Sequence, residues 1–299
     1  MAVRAAPLAA PVQQPIRVEV NLVLVEATVK DRRGQVVDGL QSEDFQLFED
    51  GVEQPIAHFS QDLLPLAVAL VVDLSGSIEP FLRPLRYATL TALKALKPED
   101  AVALFTFTDQ VTRPVALTRD KAAVSEQIEL FTAGGGTNIS RAVFEAAEYL
   151  KQEAPSARRV IVLVSDNVHT TLTALSHERV VTAALEADAS VYSLKVPGNN
   201  RGLGLAGAVV ATRVNVNRLA EATGGEVFDV EKTGSLYLAF ERLIERLKTR
   251  YTLGYYPKNT ARQGGFRKIE VRLRGHDRSQ LSVLAKRGYY APVAAAARP

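Results

Sequence analysis

Leu66-Ala67-Val68-Ala69-Leu70-Val71-Val72-Asp73-Leu74-Ser75-Gly76-Ser77 decides how the chain folds. Seven apolar residues run without a polar break and stop at a carboxylate. A strand with one wet face alternates apolar with polar residues, so an unbroken run reads as a strand buried on both faces, as at the centre of a parallel sheet. The wider apolar run, Leu63 to Val72, has ten residues and a proline, about half the length of a membrane-spanning helix. Downstream, amphipathic stretches alternate with short apolar ones. Helices are expected at about 79–97, 120–131, 138–152, 176–187, 215–222 and 235–249, and strands at 101–107, 159–165, 190–196 and around 227–228. Such alternation predicts an α/β fold, a doubly wound and mainly parallel sheet covered on both faces.

Outward from this unit the chain turns β-rich at both ends. Arg17 to Lys30 alternates with period two, but its apolar face switches from Val18, Val20, Leu22 and Leu24 to Val23, Val25, Ala27 and Val29. That pattern fits a strand with a bulge, or one buried on both faces at its centre. Arg32 to Gln35 reads as a turn, Phe45 to Phe48 as a short strand, and Asp50-Gly51 as a hairpin signal. Tyr251 to Tyr256, Phe266 to Leu273 and Leu281 to Leu284 read as further strands. Isolated hairpins are marginal in water, so the two ends are expected to pair into one small β-sandwich beside the α/β unit. The expected divisions are a flexible tail at 1–15, sandwich segments at 16–62 and 250–290, the α/β unit at 63–249 and a second tail at 291–299.

Ligands of an open parallel sheet bind beyond the carboxyl ends of its strands, and three loops place oxygen there. Asp73, Ser75 and Ser77 follow the first strand at alternate positions, with Gly76 permitting a tight backbone. Gly134-Gly135-Gly136-Thr137-Asn138 precedes a helix, and Ser165-Asp166-Asn167 follows the strand ending at Val164. Two carboxylates and three hydroxyls, with no nitrogen or sulfur, suit a hard cation such as Mg²⁺ or Mn²⁺ better than zinc. Asp-x-Ser-x-Ser alone is a short motif; placed at a strand end with Thr137 and Asp166 following in order, it becomes specific.

This set resembles the metal-ion-dependent adhesion site of von Willebrand factor type A (VWA) domains at all five positions. The resemblance implies a VWA, Rossmann-like sheet over roughly 63–249. It implies that Ser75 and Ser77 ligate the metal directly and Thr137 directly or through water, while Asp73 and Asp166 act mainly through water or hydrogen bonds. It further implies a protein partner that supplies an Asp or Glu carboxylate, as in cell adhesion. The segments Val20 to Val25, Gly39 to Phe45, Phe48 to Gly51 and Tyr251 to Tyr256 are similar to parts of a family of bacterial VWA-related proteins. Many of these carry export signals, which implies an extracytoplasmic or secreted location; Met1 to Pro15 has no apolar stretch of signal length.

An enzyme would need a general base, a nucleophile or an oxyanion stabiliser beside the open site. The strongest such reading makes Asp73 a phosphatase nucleophile with Gly134 to Gly136 cradling phosphate. It lacks the second acid two positions on, which is Ser75, and no lysine precedes Thr137. Ser75 is not in a nucleophile elbow, because Asp73 stands where the first glycine would be. His169 is expected as a solvated rim residue, with His177 at a helix start and His58 and His276 in the β parts. The expectation is therefore a metal-dependent protein-binding module and not an enzyme; the alternatives are a metal-independent assembly module and, behind it, a phosphatase-type hydrolase.

Lysine and arginine number 36 against 33 acidic residues, and no basic block could track a phosphate backbone, so no nucleic-acid partner is expected. The absence of cysteine removes disulfides and thiol chemistry. Pro197 to Ala211 reads as a solvated connection. Tyr251, Tyr255, Tyr256, Tyr289 and Tyr290 read as sandwich core or edge, and Arg83, Arg86, Arg158 and Arg159 as solvated surface.

Overall fold

The run at 66–72 is a strand, and the largest sheet is organised around it. The computed structural model describes residues 22–61, 64–171, 173–198, 214–259, 264–275 and 280–291. In chain order the elements are β1 (Val23–Asp31), β2 (Phe45–Glu49), β3 (Val52–Gln54), β4 (His58–Gln61), β5 (Leu66–Asp73), α1 (Leu82–Ala95), β6 (Ala101–Phe107), β7 (Val111–Thr118), α2 (Lys121–Glu129), α3 (Ile139–Glu153) and β8 (Arg158–Ser165). They continue with α4 (His177–Glu186), β9 (Ala189–Lys195), α5 (Val216–Thr223), β10 (Val227–Asp229), α6 (Val230–Thr233), α7 (Leu236–Lys248), β11 (Tyr251–Tyr255), β12 (Phe266–Leu273), β13 (Leu281–Ala285) and β14 (Gly288–Tyr290).

The six-stranded sheet has the order β10-β9-β8-β5-β6-β7, parallel throughout except for antiparallel β7. Every residue of β5 is buried because alternate residues serve opposite faces. Leu66, Val68, Leu70 and Val72 join the core under α1, α2 and α7, whereas Ala67, Ala69 and Val71 join the core under α3, α4 and α5. The second face is built small against small, with Ala67, Ala69 and Ala103 grouped with Ala142, Ala146 and Ala147 of α3. Side chains at the helix starts fix where the helices begin: Asp120, Asn138, Ser176, Asn215 and Ser235 each accept a backbone N–H of the first turn. The chain leaves β5 toward β6 on one side and returns to β8 on the other, so a topological switch lies between β5 and β8.

The N- and C-terminal segments pair as two four-stranded antiparallel sheets, ordered β13-β1-β11-β4 and β14-β12-β2-β3. Val25, Ala27, Val29, Phe45, Leu47, Tyr251, Leu253, Tyr255 and Ile269 form their shared core. The alternation in β1 resolves as burial on both faces: the odd residues enter that core, while Glu26 and Thr28 face Arg250. Its pairing with β11 and β13 runs without a register shift. At the hairpin, Asp50 and Gly51 both take positive φ, 49° and 83°, as a two-residue turn of the primed type requires.

Arg250 joins the paired sheets to the α/β layers. Its guanidinium, 2% exposed, donates to Glu26 and Thr28 of β1, to Ser190 at the start of β9 and to the Gly224 carbonyl. Deeper in the paired sheets, buried Glu49 accepts from Tyr255 and Tyr289 hydroxyls at 2.6 and 2.8 Å and from Arg267 at 2.8 Å, which satisfies both of its oxygens.

Several expectations change. Arg158 is not solvated: it is 8% exposed, pairs with Glu26 at 2.6 Å and donates to the Leu247 carbonyl. Arg86 reaches the Phe131 carbonyl at 2.7 Å instead of water. The helix expected from 79 begins as a tight 3₁₀ segment, Gly76–Phe81, before α1. β4 and β7 were not anticipated. Residues 17–21 of the first expected strand, His276, 199–211 of the glycine-rich loop, the tail at 1–15 and residues 292–299 lie outside the described residues.

Candidate metal centre

Asp73 closes β5 and is fully buried. Its Oδ1 accepts the Ser75 N–H at 2.9 Å, a local turn that aims the next residues back over the strand end, and its Oδ2 accepts the Ser165 hydroxyl at 2.6 Å. Ser75 starts the 3₁₀ segment, and this places its Oγ 3.1 Å from that of Ser77. A carboxylate held from behind and two hydroxyls side by side therefore come from one strand end.

The glycine loop is tied to this turn by its backbone. Gly134 N–H donates to the Leu74 carbonyl at 2.7 Å, and Asn138 N–H to the Thr108 carbonyl at 2.9 Å. Thr137, 2% exposed, is fixed by a reciprocal pair: its N–H donates to Thr170 Oγ1 at 2.8 Å and its carbonyl accepts the Thr170 N–H at 3.0 Å. Asp166, 4% exposed, follows β8, and its Oδ1 accepts the Val168 N–H at 2.9 Å. Asn167 takes the left-handed φ of 61° and is held by Ser165 and Ser193. Gly198 lies so close that a Cβ there would stand 2.5 Å from Asp166 Oδ2.

Asp73, Ser75 and Ser77 are thus in direct contact as a set, Asp166 is near enough to act on Asp73 electrostatically, and Thr137 is brought to the same loop cluster through its backbone. Burial pushes the Asp73 carboxyl from 3.8 up to about 6; the Ser165 and Ser75 hydrogen bonds oppose the rise and the Asp166 charge adds to it. Among the described residues neither Asp73 nor Asp166 forms an ion pair with a basic side chain. Two buried, like-charged carboxylates without a cationic partner are costly, and the adjacent hydroxyls are the donors that a hard cation would use. The residues fit Mg²⁺ or Mn²⁺ in that sense. No group of three or more His, Cys, Asp or Glu side chains suited to a metal exists among the described residues.

His169 is corrected. It is 1% exposed, with Nε2 3.0 Å from the Thr171 carbonyl and 3.2 Å from Thr171 Oγ1, so it shapes the loop from inside. Two supporting residues carried no signal in the sequence. Thr170 braces Thr137, and Asp109, in the turn after β6, accepts the Gly136 N–H at 2.8 Å. Both act on residues distant in the chain, and nothing local marks them.

Residues 68–169 match the family model of the von Willebrand factor type A domain. Among solved structures, a von Willebrand factor type A protein from Catenulispora acidiphila is 11% identical, with a TM-score of 0.50 and 92% of this chain and 74% of that chain covered. An aerotolerance-related membrane protein from Bacteroides fragilis is 15% identical, with a TM-score of 0.48 and coverage of 61% and 98%. A pilus adhesin, SpaC, from Lactobacillus rhamnosus GG is 9% identical, with a TM-score of 0.49 and coverage of 89% and 48%. At 11% identity the likeness to the Catenulispora protein is one of fold alone. No curated protein matches the sequence.

Proposed function

We propose that this chain, whose residues 68–169 match the family model of the von Willebrand factor type A domain, is a protein-binding module and that Asp73, Ser75, Ser77, Thr137 and Asp166 hold Mg²⁺ or Mn²⁺ for it. The observation that carries the reading is the pair of buried carboxylates, Asp73 and Asp166, beside the Ser75 and Ser77 hydroxyls and without an ion-pair partner among the described residues. Bound there, a divalent cation supplies an electropositive centre for an anionic oxygen. The chain's part is to keep that centre strong: Asp73 is turned toward Ser75 N–H and Ser165 Oγ, which leaves the adjacent Ser75 and Ser77 hydroxyls as neutral ligands. The partner group that suits such a centre is an Asp or Glu carboxylate, with the surrounding loops providing the rest of the contact area. The α/β unit at 63–249 is the binding domain in this proposal, and an extracytoplasmic location follows the resemblance to exported bacterial relatives.

Catalysis has less support. The histidine nearest in sequence, His169, is turned inward onto Thr171, and Asp73 is enclosed by its own donors and not aimed outward as a nucleophile. Among the described residues no helix is long and apolar enough to cross a membrane.

Calorimetric titration of Mg²⁺ and Mn²⁺ into metal-free protein, beside Asp73→Ala, tests the proposal. Saturable one-site binding that the variant loses is expected. Absence of binding to folded wild-type protein would overturn the metal-dependent reading and favour an assembly module that needs no metal.

A further inference from the structure

At the opposite end of the sheet, where β8 and β9 begin, a cavity of about 370 Å³ opens between the paired sheets and the α/β layers. The length of β8 separates it from the metal centre, seven residue steps or roughly 23 Å. One wall is apolar, with Leu24 and Leu185 inside and Leu22 and Leu64 at 40% and 39% exposure, among the large apolar side chains left open to solvent. The other wall is charged and unbalanced. Arg158 and Arg250 share the single carboxylate of Glu26, while Arg159 and Lys286 share that of Asp188. Arg250 is not part of the lining, so Arg158, Arg159 and Lys286 face the carboxylates of Glu26 and Asp188 there, an excess of one positive charge in a partly desolvated place.

Arg159 shows the imbalance at atomic scale. Its Nη1 donates to the Ala154 and Pro155 carbonyls at 2.9 and 3.2 Å, its contact with Asp188 is long at 3.8 Å, and its Nε is buried without a hydrogen-bond partner among the described residues. Uncompensated positive charge in a partly desolvated place is costly, and one bound anion would relieve it. A pocket with one apolar wall and a few convergent polar groups is the usual form of a small-molecule site.

We infer that this cavity is a second binding site, for a small aliphatic carboxylate whose chain lies against Leu22, Leu24, Leu64 and Leu185 and whose head meets Arg159 and Lys286. The site is independent of the metal, since none of its residues belongs to the loops at the other end of the sheet.

The test is calorimetric titration of butanoate, hexanoate, octanoate and hexanamide in the presence of EDTA, which removes any carboxylate binding through a metal. One-site binding is expected, tightening about fourfold for each added methylene, with hexanamide at least tenfold weaker than hexanoate. Arg159→Gln and Lys286→Gln should each weaken hexanoate at least fivefold while leaving Mn²⁺ binding unchanged, and methyl NMR should show Leu64 and Leu185 shifting as hexanoate is added. No saturable binding at any chain length to folded wild-type protein would overturn the inference, as would binding that neither substitution alters.

Discussion

Asp73 sits fully buried with the like charge of Asp166 nearby, so its ionised form is disfavoured in the metal-free fold, although Ser75 N–H and Ser165 Oγ donate to its two oxygens and oppose the effect. The consequence for stability has a definite sign. A carboxyl whose value rises from 3.8 to about 6 on folding holds its proton more tightly in the folded state, so stability falls as pH rises through that window. The loss is on the order of 3 kcal/mol once both states are ionised. Asp73→Asn removes the charge and keeps a polar group of the same shape. In EDTA the variant should therefore match wild type near pH 4 and exceed it by about 2 to 3 kcal/mol above pH 6.5, read by urea unfolding. Mg²⁺ should raise the stability of wild type alone, and by more at pH 7.5 than at pH 5, where protons compete for Asp73. An Asp73→Asn protein equal to wild type at every pH would show that the carboxylate is not under strain. At the neighbouring carboxylate, Gly198→Ala would put a methyl 2.5 Å from Asp166 Oδ2 and should weaken Mn²⁺ binding at least tenfold in a titration.

At the scale of elements, α3 begins just after Thr137 and fixes the end of the glycine loop. Asn138 caps it, and its buried face of Ala142, Ala146 and Ala147 lies close against the alanines of β5 and β6. Ala146→Leu has no room there and should cost about 1 to 3 kcal/mol by chemical denaturation, with looser metal binding because the glycine loop moves with the helix. A stability equal to wild type would mean that the helix can back away. Elements were legible in the sequence wherever burial imposed a period. β6 and β12 fall on their expected limits, 101–107 and 266–273, because their apolar residues must meet a core. β7 was not legible: Val111-Thr112-Arg113-Pro114-Val115-Ala116-Leu117-Thr118 is a half-exposed edge whose order comes from pairing with β6, and its proline reads locally as a break. The five oxygen-bearing residues proposed for the metal could be picked out because each stands at a strand end or ahead of a helix. Thr170, Asp109 and the inward turn of His169 were not, since their partners are set by how the loops cross.

For the whole molecule, the pairing of the two chain ends was legible from their β-rich composition, but what joins them to the α/β layers was not. Arg158 and Arg250 stand beside turns and element ends, where arginine is ordinarily solvated. In the fold both are enclosed against Glu26, and Arg250 also reaches Thr28, Ser190 and Gly224. Arg250→Ala should cost about 3 to 5 kcal/mol, because it strips donors from several buried acceptors at once; a cost under about 1 kcal/mol in urea unfolding would remove Arg250 as the joint between the two parts. The central claim remains that the loops beyond β5 and β8 hold a divalent cation. Anomalous diffraction from crystals grown with Mn²⁺ tests it most directly. A single strong peak is expected beside Ser75 Oγ and Ser77 Oγ, within reach of Thr137 and with Asp73 and Asp166 behind it, and it should be absent from Asp73→Ala crystals. Well-ordered loops with no peak at saturating Mn²⁺, or a peak elsewhere on the molecule, would contradict the assignment.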